Sequence, residues 1–354
     1  MTARWDRDLA SLALTELDRR RLLFDQLPLD PQHVEWIRHR AWVRTLNATT
    51  RIEGNSLTDI QVEELLNDTA VRVSRREALE ILGVRSALEF VDDIVARPDV
   101  PLGEDVIREI HRRVLGEIDP MLTPGRYRQG PNRVADPDGN TIFTTPASGD
   151  VPDLMRSFGL WLRGATTVPA PVAASLAHLE FVAIHPFYDG NGRTSRAIAR
   201  LLLGRGGYDF KGLVSLDAYL DLDRQRYFRA IAEATGGSYR RDYDASPFVS
   251  YFLGAAIAAT DHALSRLRGL TKVVAAIRRD VTGGALPPAM LDGLTYAWIN
   301  RSVRPADYIE ITRRTKQSAT RDFSIATRLG YLVPTGETKA RRYLIGPRLD
   351  EHGL

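Results

Sequence analysis

The run His185-Pro186-Phe187-Tyr188-Asp189-Gly190-Asn191-Gly192-Arg193-Thr194-Ser195-Arg196 gathers the groups that phosphate chemistry needs. His185 is the nearby side chain able to take a proton around neutral pH. Gly190 and Gly192 permit backbone angles closed to other residues, so successive amides can converge into an anion-binding nest. Apolar spacing resumes at Ile198, Leu201 and Leu202, which predicts a helix beginning at this turn. Its first amides and the positive end of its dipole then face the same place. Arg193, Arg196 and Arg200 fall at i, i+3 and i+7 on one stripe of that helix, with Thr194 and Ser195 in its first turn. Asp189 immediately precedes the nest, where a carboxylate can hold Mg²⁺ against phosphates. Taken singly, these parts have ordinary explanations: a turn, a solvated arginine face, a packed histidine beside Pro-Phe. Their conjunction predicts a polyphosphate cradle with a base beside it.

That run also resembles a known signature. His-Pro-Phe-x-x-Gly-Asn-Gly-Arg-x-x-Arg is the core motif of the Fic family, and every defined position is filled between His185 and Arg196. The resemblance implies transfer of AMP from ATP to a hydroxyl side chain of a target protein. It implies His185 as general base, Asp189 as Mg²⁺ ligand and Phe187 as a core anchor. Gly190, Asn191, Gly192 and Arg193 would surround the α- and β-phosphates, and Arg196 would reach the γ-phosphate. Thr194 and Ser195 are carried along as nucleotide-binding positions.

Three further stretches gain meaning from the motif. Thr49-Thr50-Arg51-Ile52-Glu53-Gly54 closes an apolar helical pattern that opens at Pro31, with Gly54-Asn55 as its cap. Alone, Glu53 reads as a helix-surface carboxylate. Beside the motif, the stretch resembles the family's inhibitory helix, which implies that Glu53 pairs with Arg196 in the γ-phosphate position. The segments 132–135 and 141–145 flank Asp136-Pro137-Asp138-Gly139-Asn140, a strong hairpin signal. In the family such a hairpin is a flap that registers the target backbone by strand addition. Tyr227-Phe228 stands where the family usually has paired tyrosines near the adenine. That implies Tyr227 as a base-contacting residue and leaves base selectivity open.

The rest of the chain sets bounds. The 354 residues suffice for two or three adequate cores, and 44% hydrophobic with 26% charged residues is ordinary for a globular protein. No cysteine is present, which excludes disulfides, thiolate zinc sites and cysteine nucleophiles. No apolar h-region follows Met1 and no run approaches the ~18 residues of a membrane span. A cytoplasmic protein without a membrane partner is therefore expected. Gly204-Arg205-Gly206-Gly207 lacks the lysine and spacing of a P-loop and reads as a turn. His111, without a neighbouring acid or ligand pattern, reads as structural.

The expected fold is mainly α. Residues 1–95 form an N-terminal helical region with the inhibitory helix, 96–265 a Fic core with its β-hairpin flap, and 266–354 a linker helix and winged-helix domain. Between Arg301 and Arg348 stand eleven Lys/Arg against four Asp/Glu, a local +7 that leaves −4 elsewhere. Helix, turn, helix and a two-stranded wing fit that stretch. Its basic surface reads as a DNA contact through Arg313, Arg314, Lys316, Arg321 and the wing arginines, or as a packing and protein-interaction module. The lack of a base-reading pattern favours the second.

The leading expectation is a Mg²⁺- and ATP-dependent protein adenylyltransferase held back by Glu53. Removal of AMP at the same site and a nucleotide-sensing DNA-binding regulator are the alternatives. Self-modification and a homodimer stay open, since no stretch specifies either.

Overall fold

The computed structural model describes residues 4–27, 29–67, 72–135, 138–336 and 341–350. Helices dominate, in the order α1 (Arg7–Gln26), α2 (Pro31–Arg51), α3 (Asp59–Leu66), α4 (Arg75–Val95) and α5 (Glu104–Leu115). The hairpin strands β1 (Arg133–Ala135) and β2 (Thr141–Thr144) follow. Then come α6 (Val151–Gly164), α7 (Ala170–Ile184), α8 (Asn191–Arg205), α9 (Leu216–Leu222), α10 (Arg224–Thr235) and α11 (Ser246–Thr282). The C-terminal elements are α12 (Met290–Asn300), β3 (Ser302–Val303), α13 (Pro305–Thr312), α14 (Lys316–Arg328), β4 (Leu332–Thr335), β5 (Arg342–Ile345) and α15 (Pro347–Asp350).

Local chemistry sets many of these boundaries. Thr58 and Gln61 form a capping box at the start of α3. Ser74, Ser215, Asp223 and Thr315 cap α4, α9, α10 and α14 with their side chains. Gly116 and Gly236 end α5 and α10 at positive φ.

Contacts divide the chain into one unit of Met1–Asp25 with Trp42–Ala259 and a second of Gln26–Ala41 with Thr260–Leu354. These divisions differ from the expected boundaries at 95/96 and 265/266. The C-terminal half of α2 falls in the unit that holds the motif, and the second boundary falls inside an unbroken 37-residue α11.

In the first unit α7 is the central element. It is apolar on nearly every face and buried from Pro171 through Phe181, as a helix without a polar stripe must be. It packs on α8 and α6, while α4 packs on both α5 and α8. The α4–α5 crossing is very close: a β-carbon on Gly83 would lie 2.5 Å from the Val114 carbonyl oxygen. The hairpin pairs Arg133 with Thr144 and Val134 with Phe143. Two of its expected turn positions, 136 and 137, lie outside the described residues.

The second unit has its own core, including Leu294, Trp298, Tyr308, Phe323 and Tyr331. Its antiparallel sheet has order β3-β5-β4, so the expected two-stranded wing gains a third strand from Ser302–Val303. Arg314, expected on DNA, instead folds back onto the buried Asp322, Nε to Oδ2 2.9 Å, beside the Tyr308 hydroxyl. A carboxylate that deeply buried needs its counter-charge, and Arg314 supplies it. Among the described residues no helix is long and apolar enough to cross a membrane.

Gly83→Ala should lower stability by about 1–3 kcal/mol, because the new methyl meets main chain that cannot rotate away. Thermal denaturation of the variant checks this; an unchanged melting temperature would mean that α4 and α5 can part freely.

Candidate active site

The site begins where α7 stops. His185 is its C-cap in the left-handed region, φ 50°, with its amide donating to the Phe181 carbonyl at 3.0 Å. Pro186, lacking an N–H, cannot continue the helix. His185 Nδ1 lies 3.2 Å from the Val182 carbonyl oxygen. A carbonyl only accepts, so Nδ1 carries the proton and Nε2 keeps its lone pair. Burial holds the imidazole below its ordinary pKa; the Val182 carbonyl opposes this, Arg128 adds to it, and Glu53 and Asp189 oppose it. The ring is therefore neutral at pH 7, as a general base must be.

The loop after His185 is fastened through its carbonyls. Arg128 donates from Nε to the His185 carbonyl and from its main-chain N–H to that of Pro186, both at 2.9 Å. Phe187 O accepts from Asn132 Nδ2 at 3.1 Å and Asn191 Nδ2 at 2.9 Å, while Asn191 Oδ1 accepts the Phe187 amide. Asp189 O lies 2.9 Å from His111 Nε2. Because Gly125 donates to His111 Nδ1, the proton sits on Nε2, and burial pushes this imidazole down to about 4. Phe187 is fully buried and stacks on His111 with centroids 3.5 Å apart. With these carbonyls turned inward, the amides of the α8 first turn are left to face the other way. Gly190 makes the turn possible at φ 76°.

The arginine stripe is real, and each guanidinium already has a carboxylate. Arg193 pairs with Asp189 at 3.0 Å, Arg200 with Asp92 at 3.0 Å, and Arg196 with Glu53 at 2.8 Å. Arg200 also lies over the Trp42 ring and takes no part in the cradle. Arg193 Nε and Nη1 are buried with no recorded partner, so this side chain retains unused donors at the site.

Arg196 is the most heavily engaged of the three. It donates to Thr49 through Oγ1 at 2.7 Å and the carbonyl at 2.8 Å, to Glu53, and to the Tyr227 hydroxyl at 3.4 Å. Burial pulls its pKa down; Glu53, then Tyr227 and Asp217, outweigh burial and keep it above its ordinary range. A β-carbon on Gly192 would lie only 2.2 Å from Glu53 Oε1. The Glu53 carboxylate is thus itself an anion seated at the N-terminus of α8. The turn that carries it is held from outside: Arg51 pairs with Asp221, and Arg224 donates to the Arg51 carbonyl at 3.2 Å.

Three of the expected nucleotide contacts have buried side chains. Tyr227 is 1% exposed, with its hydroxyl 2.7 Å from His178 Nε2, so its ring is core and its role is to support Arg196 from below. Its neighbour Phe228 is the exposed aromatic. Thr194 and Ser195 are fully buried, and the Ser195 hydroxyl donates to the Gly192 carbonyl at 2.8 Å. Their side chains face the interior because i+3 and i+4 from the turn lie on the side of α8 that packs on α7. Asn191 likewise spends its side chain on the loop and has its main chain to offer.

For Mg²⁺ the donor set is one carboxylate, Asp189, about a third exposed, with Oδ1 accepting from Gly190 N and Arg193. Among the described residues no cluster of three or more potential ligands exists. That suits a cation bound by one carboxylate together with substrate phosphates, which is how Mg²⁺ usually meets nucleotides. Arg128 is the position that sequence reasoning missed, since it binds the loop from 57 residues away with no local signature, whereas His111 is the buried structural residue it was expected to be.

A neutral imidazole, a carboxylate and a helix N-terminus that seats the Glu53 carboxylate thus lie together on a helical scaffold. Residues 101–203 match the family model described as Fic/DOC family. A protein named protein adenylyltransferase Fic from Drosophila sechellia is 37% identical over 174 residues, covering 48% of this chain and 33% of that protein. The Nematostella vectensis protein of the same name is 29% identical over 243 residues, 67% of this chain and 52% of that one. The chain thus spans a third to a half of the length of these curated relatives. Among solved structures, a Fic family protein from Desulfovibrio desulfuricans superposes with a TM-score of 0.65 over 98% of both chains at 23% identity, a likeness of fold. Fic-1 from C. elegans superposes with 0.60 over 73% of this chain and 72% of its own, at 26% identity. Over residues 101–203 the chain is thus similar to the Fic/DOC family, and its fold is like that of solved Fic family proteins.

Titration of His185 by NMR should show a midpoint below the ordinary 6.5, with Nδ1 protonated in the neutral form. A midpoint above 6.5 would contradict the balance in which burial dominates.

Proposed function

We propose that the protein is an adenylyltransferase that moves AMP from ATP to a Ser, Thr or Tyr hydroxyl of a target protein, and that Glu53 holds it inactive. The observation that carries this reading is the neutral His185 with its free Nε2 beside an anion-binding helix end. His185 Nε2 takes the hydroxyl proton as the oxygen attacks the α-phosphorus in line. The bond from the α-phosphorus to the bridging oxygen breaks, and pyrophosphate leaves. The α8 amides and Arg193 hold the phosphates, so positioning and charge neutralisation supply most of the rate, with about 10²–10⁴-fold from the base. Asp189 is the residue to hold Mg²⁺, which would neutralise charge on the phosphates as pyrophosphate departs. The β1–β2 hairpin offers main chain for a target strand. A cytoplasmic location agrees with the absence of cysteine.

Inhibition follows from competition between anions. Arg196 and the α8 end are where a γ-phosphate would be held, and Glu53 occupies both. A charge-assisted contact of this kind is worth roughly 1.5–3 kcal/mol. With ATP carrying a tagged α-phosphate, Glu53→Gly should label its target, or itself, at least tenfold more than wild type, and His185→Ala should label nothing. Undiminished labelling by His185→Ala would end the mechanism. Release of AMP from a modified target by wild type, lost in Glu53→Gly, would instead favour the reverse reaction.

A second reading concerns α14. Its exposed residues include Lys316, Gln317, Thr320, Arg321, Ser324 and Arg328, without a carboxylate, since Asp322 is buried under Arg314. It is the second helix after a three-residue turn, followed by the β4–β5 strands. This supports a winged-helix module that lays α14 on duplex DNA. In gel shifts, retention that falls steeply with salt and is lost on Lys316→Glu/Arg321→Glu supports it; no retention of any duplex at low salt sinks it.

A further inference from the structure

Arg128 lies outside every motif, yet its side chain is only 2% exposed. Its guanidinium donates to three main-chain carbonyls: Nε to His185 at 2.9 Å, Nη1 to Gly130 at 3.1 Å, and Nη2 to Pro146 at 2.7 Å. Gly130 lies just before β1 and Pro146 just after β2. One rigid planar group therefore ties both roots of the hairpin to the residue that carries the base. Further bonds run alongside: Asn132 to the Phe187 carbonyl, and the Gly130 amide to the Tyr188 hydroxyl at 2.9 Å.

Among the described residues no carboxylate pairs with Arg128, and burial pulls its pKa below the ordinary arginine value. A cation desolvated against carbonyls alone is a costly way to fill space, since an apolar side chain would pack there without losing hydration. What the apolar side chain would lack is the fixed fork of donors that three carbonyls at set directions demand.

We propose that Arg128 is a positioning residue that sets the spacing between a target backbone docked on the β1–β2 hairpin and the Nε2 atom of His185. The proposal rests on the transfer reading given above. It separates two tasks within the first unit. The α8 end and its arginines hold the nucleotide, whereas Arg128 holds the acceptor side in register with the base. Its charge has a second effect, favouring the neutral imidazole together with burial and against Glu53, Asp189 and the Val182 carbonyl.

The test compares Arg128→Lys and Arg128→Met with their parent, all carrying Glu53→Gly. Lysine keeps the charge and loses the fork; methionine loses both. Both variants should bind ATP like the parent and lose kcat toward the target by about 10- to 100-fold, the scale of a misplacement near 1 Å. The acid limb of the pH–rate profile should stay in place for Arg128→Lys and move up toward 6.5 for Arg128→Met. If Arg128→Met does not fold, Arg128→Lys carries the test alone. Parental kcat in the folded variants overturns the proposal, as does a loss shared equally by ATP binding. A parent that labels no target defeats the transfer reading instead. The His185 midpoint, read by NMR in Arg128→Met, then still decides whether Arg128 governs the base: an upward shift supports it, and no shift overturns it.

Discussion

The buried guanidinium of Arg196 faces two carboxylates, Asp217 at 3.6 Å and Glu53, which forms the closer ion pair at 2.8 Å. The ion pair closes α2 onto α8 and places a carboxylate against Gly192, where any side chain would collide with it. The remainder of the first unit serves this contact. Thr49 takes two more of the arginine's donors, Tyr227 and His178 support it from beneath, and Arg51 and Arg224 fasten the turn that presents Glu53.

The motif loop works by a different constraint, the accounting of main-chain polar groups. The carbonyls of His185, Pro186, Phe187 and Asp189 are bound by Arg128, Asn132, Asn191 and His111. Buried carbonyls must be paired. Pairing them fastens the loop and fixes His185 in its left-handed position. The rigidity of the site therefore comes from residues that perform no chemistry.

Legibility in the sequence follows from locality. The His185–Arg196 run was readable because base, acid, glycines and arginines are consecutive, so spacing alone places them together. The α8 helix was readable from its apolar spacing, and the Glu53 contact became readable once Arg196 had been assigned. The bonds of Arg128 and His111 to the loop were not, since they cross intervals of 57 and 78 residues with no local periodicity. The burial of Tyr227 was not readable, because helix spacing gives relative faces and not which face is buried. The packing of α10 on α7 and the ring of Phe248 decide that its hydroxyl meets His178. The burial of Thr194 and Ser195 was hidden for the same reason. Residues adjacent to a motif in sequence lie on the opposite side of a helix in space.

The most direct test of the gate is calorimetric binding of Mg²⁺–ATP to wild type and to Glu53→Gly, with AMP as the ligand that lacks a γ-phosphate. If Glu53 holds the place of that phosphate, the substitution tightens ATP by roughly 10- to 100-fold and changes AMP far less. Equal ATP affinities for the two proteins would show that Arg196 and the α8 end are not where the nucleotide's terminal charge is held, and the account would fail at its centre.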